Sequence, residues 1–61
     1  MKLKEQVLLI LMSSKGDYIS GEDISKQLYV SRNAVWKAIN TLRADGFIID
    51  AVQNKGYLLS G

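Results

Sequence analysis

A small α+β fold, three helices followed by a β-hairpin, is what the 61 residues of this chain predict. Three observations carry that expectation. Apolar residues recur at helical spacing in the opening segment and again between Val35 and Leu42. Two serines, Ser20 and Ser31, each stand where a helix would begin. After Gly46 the pattern changes from a helical period to alternation, interrupted by "QNKG". A chain of this length forms one domain at most and buries only about 60% of the surface exposed when unfolded, which leaves room for a binding face but little for an enclosed pocket.

Leu3, Val7, Ile10 and Leu11 follow the i, i+4, i+7, i+8 pattern of a helix with one buried face, ending near Ser13 and Ser14. Leu8, Leu9 and Met12 fall outside that stripe, so this helix is apolar on more than one side and is expected to touch two elements or a neighbouring domain. "KGD" and the short "YIS" then lead to a second helix running to about Leu28. Ser20 with Asp23 has the form of a capping box, and Ile19 with Ile24 has the spacing of a hydrophobic staple. The arrangement repeats almost at once. Ser31 caps a third helix, and Val30 with Val35 again has the staple spacing.

Two short helices joined by "LYVS" make a helix-turn-helix, about residues 20–44, whose second member is the one that enters a DNA major groove. The turn residue Tyr29 occupies a place where glycine is the easier choice, so it either avoids positive φ or accepts a strain of about 1 kcal/mol. Gly46 closes the third helix. Phe47, Ile49 and Ala51 then alternate with Ile48, Asp50 and Val52, "QNKG" turns with Gly56 left-handed, and Tyr57 to Leu59 returns. This hairpin, about residues 47–59, completes a winged helix with Tyr57 closing the wing and Lys55 at its tip.

Stepping about 100° per residue along the third helix gathers Ala34, Val35, Ala38, Ile39 and Leu42 into one core-facing arc. Asn33, Trp36, Lys37 and Asn40 cluster opposite, with Arg32 and Arg43 at the edge. Arginine or lysine matches the acceptors of guanine, and asparagine matches adenine, so this face has the chemistry to read base edges and to neutralise phosphate. Trp36 lies near enough to the arc for two roles, packing on the wing or second helix, or contact with DNA. Taken with Ser31 at the helix start and Lys55 at the wing tip, these residues are the candidate DNA contacts.

Composition excludes much else. With 48% apolar residues and both charge signs present, the chain has the make-up of a folded domain. Net charge is +2, and the whole excess falls after residue 30, where Arg32, Lys37, Arg43 and Lys55 face only Asp45 and Asp50. That asymmetry points to an anionic partner. Cysteine and histidine are absent, which removes thiol catalysis and the common zinc sites, so no metal ligands and no catalytic residues are assigned. The glycines match no nucleotide-phosphate loop. Adjacent Glu22 and Asp23 are better explained by a helix start than by acid–base chemistry. In the opening segment the unbroken apolar run is Val7 to Met12, too short for a secretion signal or a membrane span, so a cytoplasmic location without membrane contact is expected.

"VSRNAVWKAINTLRADGF" followed by Ile-x-Ala-x-x-x-Lys-Gly-Tyr-x-Leu resembles the N-terminal winged-helix domain of bifunctional biotin protein ligases that also repress the biotin operon. The likeness runs from Leu3 to Leu59, and its most specific parts are the Ser31-Arg32 helix start, Thr41-Leu42-Arg43, Gly46 and Lys55-Gly56-Tyr57. It implies operator DNA as the partner, with Ser31, Arg32, Asn33, Lys37 and Asn40 as helix contacts and Lys55 as the wing contact. It also implies a separate ligase and dimerisation domain that holds the biotinyl-adenylate corepressor. These residues contain no glycine- and arginine-rich adenylate loop, so no cofactor and no enzymatic activity are expected of them. Similar winged helices head repressors that sense other small ligands, and some serve as protein–protein modules; both remain alternatives at the level of sequence.

Overall fold

A computed structural model describes residues 2–60. Its elements run in the order α1 (Leu3–Ser13), α2 (Gly21–Leu28), α3 (Arg32–Ala44), β1 (Ile49–Val52) and β2 (Gly56–Leu59). This is the small α+β winged helix that the residue pattern predicts. Helix α3 packs against both α1 and α2, and α1 also meets β2. Val7 and Leu11 from α1, Ile24 from α2, Val35, Ala38, Ile39 and Leu42 from α3, and Ile49 and Leu59 from the hairpin form the buried core. Six of these side chains are essentially inaccessible, each contributing about 1.5–3 kcal/mol by leaving water.

The helix ends follow from local chemistry. At α1 the Glu5 carboxylate accepts the Lys2 backbone N–H (3.2 Å), and at the far end the Ser13 and Ser14 hydroxyls donate to the carbonyls of Leu9 and Ile10. Such back-bonding competes with the helical ladder and favours termination there. Ser20 Oγ accepts the Asp23 N–H at 3.0 Å. The return bond of a full capping box is not made; the Asp23 carboxylate stays exposed in the first turn, where the helix dipole favours it. Helix α3 ends in a Schellman motif: Gly46 (φ +107°) donates to the Arg43 carbonyl at 3.0 Å, and Phe47 donates to that of Leu42 at 3.1 Å. Because the Phe47 N–H is spent on the helix, pairing begins at Ile49 and not at residue 47.

Register is Ile49 with Leu59, Asp50 with Leu58, Ala51 with Tyr57 and Val52 with Gly56. Ile49 is buried between exposed Ile48 and Asp50, as alternation requires, whereas Ala51 on the same face lies beyond the core and is exposed. The turn uses a second left-handed residue, Asn54 (φ +69°), in addition to Gly56 (φ +116°). One contact was not anticipated. Ile19, which by its place in the sequence leads into α2, exchanges both backbone bonds with Tyr57 (3.0 and 2.8 Å) and ties the wing to the helix-turn-helix. Lys4 Nζ meets the Asp45 carboxylate at 2.8 Å, fastening α1 to the end of α3; that hydrogen bond and charge raise the lysine pKa. Among the described residues no helix is long and apolar enough to cross a membrane.

Candidate nucleic-acid interface

The frame that positions α3 is the pair of serine-capped starts. Ser31 Oγ accepts the Ala34 N–H at 3.1 Å, which fixes where α3 begins and therefore which side chains face out. With Val35, Ala38, Ile39 and Leu42 turned into the core, Arg32, Asn33, Trp36 and Lys37 are left exposed on the opposite surface. Ser31 is exposed as well. Asn40 is only half-buried and so presents less of its amide than the periodicity suggests.

This surface is not flat. Arg32, Asn33 and Trp36 share a shallow concavity with Gly21 of α2 and Tyr57 of the wing. A second concavity runs from Ser20, Glu22 and Arg32 to the wing tip at Asn54 and Lys55. Arg32 belongs to both. Lys37 lies on the other flank, beside Leu3, Lys4 and Thr41. The side chains that the sequence groups as one face are thus divided: three look toward the wing, and Lys37 looks toward α1. Trp36 is 58% exposed, so its ring is a wall of the first concavity and not a core residue.

Chemically, the wing side offers a guanidinium, an amide and an indole around one depression. Lys55 Nζ stands 5.7 Å from the centroid of the Tyr18 ring, within cation–π range, which restrains its long side chain at the wing tip. An α-helix with a polar outer face beside a β-hairpin matches the width of a DNA major groove and one adjoining backbone. The HTH domain family matches this chain over residues 3–58.

The chain belongs to the HTH domain family. Two relatives, the bifunctional ligase/repressor BirA of Bacillus spizizenii and that of Bacillus subtilis, are each 40% identical to this HTH domain over 57 residues. The aligned stretch is 93% of this chain but 18% of either relative, so the chain spans under a fifth of the length of the curated relatives it matches.

Within the HTH domain one functional side chain escaped the sequence reading. Arg43 sits at the edge of the outer face by periodicity, yet its Nε and one terminal nitrogen both donate to the Ile49 carbonyl, at 3.1 and 2.6 Å. It fastens the last turn of α3 to the first residue of β1. A basic residue in the last helical turn shortly before a strand was the only signal, and it does not by itself distinguish a backbone anchor from a free cation. Tyr57 is half-buried against the core and walls the first concavity, in keeping with the closing role expected of it.

Proposed function

We propose that this HTH domain binds double-stranded operator DNA as the reading unit of a transcriptional repressor, with α3 in the major groove and the wing on the neighbouring backbone. One observation carries the reading. Helix α3 turns Val35, Ala38, Ile39 and Leu42 into the core and leaves Arg32, Asn33 and Trp36 exposed on a concavity walled by Tyr57 of the wing, with Lys37 exposed on the flank toward α1. In this reading Asn33 and Lys37 face base edges, Arg32 and Ser31 serve the groove entrance, Trp36 and Asn40 complete the helix surface, and Lys55 touches phosphate.

The resemblance to biotin operon repressors supports biotin synthesis or uptake as the regulon, and the names of the two relatives support a parent that is both ligase and repressor. The ligase chemistry, the biotinyl-adenylate corepressor and the dimer contacts would then belong to a domain other than this one, acting in the cytoplasm.

Binding measured on one preferred and one scrambled duplex at several salt concentrations tests the proposal. The isolated domain is expected to bind non-specific DNA at about 10⁻⁴ to 10⁻⁶ M with steep salt dependence. Lys55→Ala should weaken all sequences alike and lower the salt slope by about one unit. Asn33→Ala and Lys37→Ala should cost about 1–3 kcal/mol on the preferred duplex and much less on the scrambled one. A flat salt response from the wild-type domain removes the DNA reading; loss of discrimination on Lys55→Ala alone exchanges the roles of helix and wing.

A further inference from the structure

Tyr29 is a residue whose side chain the fold does not explain. It joins α2 to α3 with φ 56° and ψ 44°, the left-handed region, where a bulky β-carbon is strained and glycine is not. Residues held this way usually recover the strain through packing or hydrogen bonding. Tyr29 recovers nothing inside the chain: it is 94% exposed, the highest value among the described large apolar and aromatic residues, and no hydrogen bond from its hydroxyl is formed among the described residues. The turn itself needs only the backbone, since the N–H groups of Tyr29 and Val30 both return to the Ser25 carbonyl whatever side chain is carried.

A strained, solvent-exposed aromatic is a residue whose reason lies outside the monomer. Its place says where. Tyr29 stands two residues before Ser31 and three before Arg32, at the end of α3 that carries most of the candidate contacts. A phenol there has a hydroxyl able to donate to an anionic oxygen and no charge of its own. We propose that the Tyr29 hydroxyl donates a hydrogen bond to a DNA backbone phosphate beside the groove that α3 enters, a contact that positions the domain without reading sequence. The inference rests on the DNA reading above and adds a neutral anchor to its charged ones. Tyrosine is among the side chains that make such phosphate contacts.

Neutrality gives the contact a signature. A lysine–phosphate contact releases a counterion and steepens the salt dependence, whereas a phenol–phosphate contact does not. The experiment compares wild type, Tyr29→Phe, Tyr29→Gly and Lys55→Ala on the preferred and the scrambled duplex across salt, with a melting curve for each. Tyr29→Phe and Tyr29→Gly are expected to lose about tenfold in affinity, the size of one hydrogen bond to a charged group. The loss should be equal on both duplexes and leave the salt slope unchanged, while Lys55→Ala lowers that slope. Melting temperatures of both Tyr29 variants should stay at or above that of wild type, because no internal contact is removed.

Wild-type affinity in either Tyr29→Phe or Tyr29→Gly overturns the proposal while leaving the DNA reading standing. So does a Tyr29→Phe melting temperature well below wild type, which would mean that the hydroxyl serves the fold. A wild-type domain that fails to bind either duplex overturns the DNA reading itself, and this contact with it.

Discussion

Among the described glycines, Gly56 carries the tightest steric constraint. A β-carbon placed there would lie 2.1 Å from the Ile19 carbonyl oxygen and 2.5 Å from its carbon, both backbone atoms that cannot swing aside. Gly46 shares the positive φ but has nothing within 4 Å of such a carbon. The two therefore separate conformational strain from collision. Gly46→Ala should cost about 1–2 kcal/mol, the price of a left-handed β-carbon. Gly56→Ala should cost about 3 kcal/mol or more, because it also drives apart the Ile19–Tyr57 bridge and strands its two backbone bonds. Urea denaturation of both variants checks the difference; equal midpoints would mean that the wing yields easily at Ile19.

Between elements, the decisive fastening is that of the wing to α3, since a wing tip contributes to binding only if its distance from the helix is held. Three contacts hold it: the Ile19–Tyr57 bridge, burial of Ile49 and Leu59 in the core, and the Arg43 fork on the Ile49 carbonyl. The Arg43 fork can be removed alone. Arg43→Met keeps the length of the stem and deletes both bonds, at an expected cost of about 1–2 kcal/mol in stability, discounted for partial solvent access. It should also uncouple the wing. In an Arg43→Met background the loss caused by Lys55→Ala should shrink, giving a non-zero coupling energy between the residue that anchors the start of β1 and the residue at the wing tip. Strict additivity in that double-mutant cycle would show that the fork is only structural.

At the scale of the molecule, nine buried residues drawn from all five elements make one core, so the exposed face of α3 is rigid only as long as that core is intact. Val35→Asp would bury an unpaired charge at a fully inaccessible position and should abolish the cooperative melting transition. Ligands of the proposed parent protein are a different matter. Biotin, ATP and biotinyl-adenylate should leave the melting temperature of this domain unchanged, because a ligand stabilises only the folded state it binds. Calorimetry with each ligand decides this; a clear upward shift with the adenylate would place a sensor within these residues.

Features that depend on near neighbours along the chain are legible in the residues alone. The three helices, the serine caps at Ser20 and Ser31, the glycine stop at Gly46 and the core stripe of α3 are set by periodicity and by side chains reaching three or four residues, and the structure has them where the pattern places them except for Ala34, which is only partly buried. Tyr29 was legible as a choice between two conformations, and the fold takes the strained one. The rest is set by packing between distant segments. Whether Trp36 packs or stays open, that Lys37 looks away from Arg32, that Arg43 grips β1, and that Ile19 pairs with Tyr57 all depend on how close two distant segments come. A helical period fixes the angle at which a side chain leaves its helix, but not what stands opposite it, because that is set by the packing of the other elements around the shared core.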